Sequence, residues 1–216
     1  MILKEIPVGS VEEAIKAAHL GADRIELCEN LEVGGTTPSF GTIEICRKKI
    51  ELPIMVMIRP RGGNFVYSDT ELEVMREDIK TCKNIGVDGV VFGVLDEEGN
   101  VNYEVMESLT RLASPLEVTM HKAIDECNDP FGSIHRLHQL GVDNILTSGQ
   151  AETALEGKDN LLRIMEIARE KVEIIIAGKV SSENLPLVSK LLPAKVFHGR
   201  AIVGSLSQHP YKPIEP

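Results

Sequence analysis

With 216 residues, 43% of them hydrophobic, the chain is long enough to bury a substantial core without disulfide staples. Its 23 Lys and Arg against 33 Asp and Glu give a formal charge of −10, which excludes nucleic-acid backbone or an anionic membrane as the main partner, since both reward clustered positive charge. No apolar run approaches the roughly 20 residues of a membrane span, and the opening "MILKEIPVGS" lacks a charged segment followed by an apolar one. A cytoplasmic protein that handles a small molecule or ion is expected.

Taken in chain order, short β-rich runs alternate with amphipathic stretches. The strands are "ILKEIPV", "RIELC", "PIMVMIR", "GVVFGVL", "LEVTMHKA", "NILTSG", "VEIIIAG" and "KVFHG". Between the first two lies "SVEEAIKAAHLGAD", with Ser10 as N-cap, and after the third "SDTELEVMREDIKTCKNIG", where Ser68 and Glu71 have capping-box spacing. Gly21, Gly86 and Gly141 each stop a helix just before a strand, in the recurring pattern "LGAD", "IGVDG", "LGVDN". Eight such βα units read as an α/β protein of one domain, a (β/α)8 TIM barrel over residues 1–216 with the tail "SQHPYKPIEP" irregular. A doubly wound sheet is the alternative. No full helix is legible after the last strand.

Alternation along the strands then sorts the side chains. If Ile25, Leu27, Val56, Ile58, Val118 and Met120 face the helices, Glu5, Glu26, Cys28, Arg59 and His121 face the pore, late in their strands. The C-terminal mouth is where barrel enzymes assemble their sites, and Arg61, Asp96, Asp125, Ser148 and His198 are placed to join that rim. Glu5, Glu26 and Arg59 alone make a self-satisfied ion network; a further carboxylate and an imidazole exceed what one Arg needs, and the surplus suggests a ligand. His121 between carboxylates is expected to exchange a proton near neutrality, with Glu5, Glu26 and Asp125 as its catalytic partners. Arg59, Arg61, Ser148, His198 and Arg200 are the candidate substrate-binding residues. The glycine-bearing loops "GGTTPSFG" and "RPRGGNFVYSD" allow close backbone approach to a ligand, and Gly178, Gly199 and Arg200, with Lys179 nearby, are a candidate anion cup.

The four cysteines, Cys28, Cys46, Cys82 and Cys127, have no C-x-x-C spacing, which argues against a zinc knuckle, a thioredoxin-type motif or a disulfide framework. Cys46 and Cys82 fall in helical segments, with a core role.

Together, "GADRIELC", "VGGTTPS", "VMIRPRGGNFVYSD", "GVVFGVLDEEGNVN", "HKAIDECNDP" and "LTSGQ" resemble the CutC-like copper homeostasis proteins, from about residue 2 to residue 200. The resemblance implies a TIM barrel, a cytoplasmic location, a homodimer or other small homo-oligomer, and a role in copper tolerance or Cu(I) binding. Family members often carry a cysteine two residues after the strand-one glutamate, paired with the strand-two cysteine; here that position is Pro7. Cu(I) favours sulfur over carboxylate, so Cys28 needs a second donor, for which Cys127 or a thiol from a second subunit is the candidate. The seventh loop, "AGKV", is shorter than the glycine-rich run of relatives, and the C-terminal segment is short. The competing expectation is an enzyme that acts on a small anionic or phosphorylated compound by acid/base chemistry at the same mouth.

Overall fold

Eight parallel strands close on themselves in the order β1 to β8, each joined to the next in sequence and β8 to β1. The structure is a computed structural model and describes residues 2–169 and 171–206; the expected irregular tail, 207–216, lies outside them. The strands are β1 (Leu3–Val8), β2 (Arg24–Leu27), β3 (Ile54–Met57), β4 (Gly89–Phe92), β5 (Glu117–Met120), β6 (Asn144–Thr147), β7 (Glu173–Ile176) and β8 (Val196–His198). All eight expected strands are present. The helices are α1 (Val11–His19), α2 (Phe40–Lys49), α3 (Asp69–Ile85), α4 (Tyr103–Ala113), α5 (Ala123–Glu126), α6 (Pro130–Gln139), α7 (Lys158–Ala168) and α8 (Leu185–Leu191). The doubly wound alternative fails because β8 pairs with β1 instead of leaving two open edges.

Local chemistry sets the helix limits. Ser10 Oγ accepts the Glu13 N–H at the start of α1. At α3, Ser68 Oγ accepts the Glu71 N–H while Glu71 Oε2 accepts the Ser68 N–H, so the expected capping box is formed. Gly86 ends α3 at φ +79°, a left-handed conformation that costs a residue with a Cβ about 1–2 kcal/mol. Asp23, Asp88 and Asp143, the last residues before β2, β4 and β5's neighbour β6, each turn a carboxylate onto the backbone N–H of the preceding strand: Lys4, Ile54 and Val118. The repeated "G-x-D" thus stops the helix and fixes strand register in one turn.

Strand alternation divides the interior as expected. Ile25, Leu27, Val56, Ile58, Val118 and Met120 pack with the helices in the main core, where each fully buried aliphatic side chain contributes about 1.5–3 kcal/mol. The pore holds two separate apolar groups: Cys28, Met55, Met57 and Val91 toward one side, Leu146, Ile175, Ala177 and Val196 toward the other. Polar side chains occupy the space between. Among the described residues, the segment after β8 runs as an irregular turn in which Ile202 and Leu206 are buried.

Candidate functional site

Three strands supply the centre of the site. Glu5 on β1 stands level with Arg24 on β2 and His198 on β8, so adjacent strands present one carboxylate, one guanidinium and one imidazole at the same height in the pore. Arg24 Nε donates to Glu5 Oε2 at 2.5 Å, and His198 Nδ1 lies 2.8 Å from Glu5 Oε1. Two residues further along β2, Glu26 places Oε2 3.9 Å from His198 Nε2, while its Oε1 is buried without a hydrogen-bond partner. Burial pushes the Glu5 carboxyl up, but the hydrogen bond from His198 and the charge of Arg24 outweigh it and leave its pKa below the usual value. For Glu26 burial prevails over the attraction of His198, and Glu5 adds repulsion, so its pKa is raised. His198 is pushed down by burial and up by Glu26 and Glu5, with the net shift upward.

Above this cluster the C-terminal mouth opens into a cavity of about 760 Å3, with Glu26, Met57, Arg59, His121, Ser148 and His198 among its lining residues. Pro7 also lines it, beside Glu26 in the β1–β2 register. Glycine makes the pore wide enough: a Cβ on Gly93 would sit 2.7 Å from His121 Nδ1, and one on Gly89 would overlap the Met55 thioether.

The structure revises several expectations. His121 faces the pore, but no carboxylate pairs with it. Its Nδ1 accepts the Ala123 N–H at 3.2 Å, its ring lies 4.8 Å from that of Phe65, and its Nε2 is buried without a partner. Burial, reinforced by the Arg59 charge, holds its pKa down to about 3, so it is a neutral N–H donor and does not titrate near neutrality. His198 is the histidine that stands between carboxylates. Arg59 does not neutralise Glu5 or Glu26 either; its guanidinium donates to the carbonyls of Val33, Gly35 and Gly63 and lies 4.8 Å from the Phe65 ring centroid, tying together the loops after β2 and β3. Arg24 takes that neutralising place.

Arg61 turns into its own loop, bonding Glu71, Gly62 O, Asn64 O and Val66 O. Asp96 closes a turn on Asn100. Asp125 lines the cavity, yet its oxygens accept from Thr147 Oγ1, Ser148 N and Oγ, and Gln150 N, which makes it the anchor of the loop after β6 and not a partner of His121. The anion cup does not form: Arg200 pairs with Glu13 and Lys179 with Glu152, while the space beside Gly178 and Gly199 is filled by Ala154 N and Val180 O.

The cysteines separate as well. Cys28 Sγ lies 3.5 Å from Glu26 Oε2 in the pore, with Met55 and Met57 in the same cluster. Burial and then the Glu26 charge push its thiol pKa well above the usual value. Cys127 belongs to the helix-side core, its thiol beside Ser133, so the structure does not bring it together with Cys28. Cys46 and Cys82 are core residues of α2 and α3, as expected.

Residues 2–203 match the family model described as CutC family. The chain belongs to the CutC family. The human copper homeostasis protein cutC homolog is 43% identical over 91% of this chain and 72% of its own length. A family protein CutC from Xanthomonas campestris is 39% identical over 96% of this chain and 88% of its own. The crystal structure of a putative copper homeostasis protein CutC from Streptococcus agalactiae superposes with a TM-score of 0.89 at 34% identity, covering 94% of this chain and all of the other. In this CutC-family chain Met57 faces the pore with Arg59, as strand parity indicated, whereas the pore-facing Arg24 and Met55 escaped the sequence reading although they share parity with Glu26 and with Met57.

Proposed function

We propose that this chain serves copper homeostasis, the role for which its relatives are named, by holding Cu(I) as cargo at the barrel mouth through Cys28 and the neighbouring methionines. The observation that carries this reading is the sulfur cluster itself: a pore-facing thiol packed with Met55 and with the cavity-lining Met57 beside Glu26. Thiolate and thioether are the ligands that soft Cu(I) prefers. They offer a substitute for the second cysteine that Pro7 replaces. Cu(I) has to displace the thiol proton, and coordination deprotonates a thiol that burial otherwise holds neutral. A cytoplasmic location and assembly as a homodimer or small homo-oligomer belong to the same reading; the four free cysteines fit a reducing compartment.

The test is an anaerobic Cu(I) competition titration against a chromogenic chelator. Near-stoichiometric binding is expected for the wild type, a loss for Cys28→Ser and a weakening for Met57→Leu. Unchanged affinity in Cys28→Ser would remove the sulfur site from consideration.

A second reading has its own observation. The cavity volume falls within the range of about 300–1,000 Å3 typical of small-molecule sites, and its wall carries an unpaired His121 N–H, an unpaired Glu26 oxygen and, at the rim, Lys122. A small anionic compound would accept from His121 and from the unpartnered Arg59 Nε while Glu26 and His198 exchange a proton with it. Thermal-shift screening against phosphorylated and carboxylated metabolites tests this, with His121→Asn expected to lose any hit.

A further inference from the structure

We propose that Glu26 and His198, with Glu5 holding His198 from behind, form a site for a divalent first-row cation that borders the sulfur cluster but uses nitrogen and oxygen donors instead of sulfur. One donor atom from each of the three lies within 4.8 Å of the others, and two ligands on one tetrahedral ion stand about 3.4 Å apart. His198 Nε2 and Glu26 Oε2, at 3.9 Å, are already near that separation.

The roles follow from which atoms are engaged. His198 is held through Nδ1 by Glu5, and Glu5 in turn by Arg24. A histidine that gives its other ring nitrogen to a carboxylate is the arrangement that orients imidazole toward a metal. Nε2 then faces Glu26 and the cavity. Glu26 contributes the independent observation: it is 4% exposed, and its Oε1 has no hydrogen-bond partner. A buried carboxylate oxygen without a donor is costly, and a cation held by the Glu26 carboxylate, whose other oxygen already faces His198 Nε2, removes that cost.

Charge points the same way. Two buried carboxylates face one buried guanidinium, Arg24, while Arg59 is turned onto backbone carbonyls. The cluster is one positive charge short whenever both carboxylates are ionised and His198 is neutral. Lys122 and Glu152 face the same cavity from the rim, and His121 is neutral, so none of them lies in the cluster to fill the deficit. Imidazole nitrogen with carboxylate oxygen selects Zn2+, Cu2+ or their first-row neighbours over Cu(I). The Glu26 and His198 ligands border the cavity, so a bound ion has positions open to solvent or to an anion that enters there.

Zn2+ is the probe, because it is redox-inert. Isothermal titration with Zn2+ should show one site on the wild type, weakened at least roughly ten-fold in Glu26→Gln and His198→Gln and within about threefold of wild type in Cys127→Ser, whose thiol lies in the helix-side core. Cu(I) loss is read separately, on Cys28→Ser, and Zn2+ loss on Glu26→Gln and His198→Gln, so a failure of the copper reading and a failure of this one give different results. Crystals soaked in Zn2+ and measured at the zinc edge give a readout that needs no variant: an anomalous peak between Glu26 and His198 is expected. No peak there, or Zn2+ affinity unchanged in a folded Glu26→Gln, overturns the proposal.

Discussion

Between pH 7 and pH 5 the fold should lose about 2 kcal/mol through His121 alone. The residue is buried, and its pKa is held to about 3 from an ordinary 6.5, because burial and then the Arg59 charge oppose the imidazolium. A depressed histidine keeps its stabilising effect above the unfolded pKa. Below 6.5 the unfolded chain takes up a proton that the native chain refuses, so stability falls by about 1.36 kcal/mol per pH unit until the folded pKa is reached. From 6.5 to 5 that amounts to about 2 kcal/mol. The control is His121→Asn, whose side-chain oxygen can still accept the Ala123 N–H and which does not titrate. Urea unfolding of both proteins at pH 7 and pH 5 gives the difference of differences, in which Glu5, Glu26 and His198 are common to both and drop out. The mutant has its own absolute stability because the Phe65 ring contact is lost; only the pH dependence decides. Parallel losses in wild type and mutant would falsify the assignment of a neutral, buried imidazole.

Three further perturbations follow from the same geometry. Arg24→Met leaves Glu5 with His198 alone in a buried setting and should destabilise by about 3–5 kcal/mol in urea; a change below 1 kcal/mol would mean Glu5 is neutral in the fold. Asp125→Ala strips the acceptor from two buried donors, Ser148 N–H and Thr147 O–H, at about 1–3 kcal/mol each, whereas Gln150 N–H regains water. Calorimetry should therefore show a loss of roughly 2–6 kcal/mol, and a drop no larger than an ordinary surface change would deny Asp125 its anchoring role. Gly86→Ala meets no neighbour within 4 Å, so its effect is backbone strain at φ +79°. A melting temperature lower by about 2–8 °C is expected, and an unchanged one would contradict the left-handed cap.

The barrel was legible because its signals are local and repeated. Strand parity, the helix-stopping Gly86 and Gly141, and the serine caps at Ser10 and Ser68 can be read one segment at a time, and they placed Glu5, Glu26, Cys28 and His121 in the pore correctly. Which pore residues meet was not legible, because that depends on stagger between strands far apart in sequence. Arg24 on β2 and Arg59 just beyond β3 are both cavity-side arginines, yet only the β1–β2 register sets Arg24 level with Glu5. Loop residues were harder still. Arg61, Arg200 and Lys179 looked like free cations in glycine-rich segments, and each is claimed by a carboxylate, Glu71, Glu13 and Glu152, that no spacing rule would select. His121 and His198 exchanged their expected roles for the same reason: charge partners, not strand position, decide which imidazole titrates.

The Glu5–His198 hydrogen bond joins residues 193 positions apart, across the pairing of the first strand with the last. During synthesis Glu5 leaves the ribosome with Arg24 close behind, while its imidazole partner follows 193 residues after it. Until β8 docks, the barrel is an open sheet with two exposed edges, and the polar centre is incomplete. Whatever this mouth binds therefore recognises the finished ring and no earlier intermediate, and a ligand that bridges β2 and β8 acts as a clasp on the seam. Ring closure and site assembly are one event, so ligand occupancy becomes a direct readout of how many chains have completed their fold.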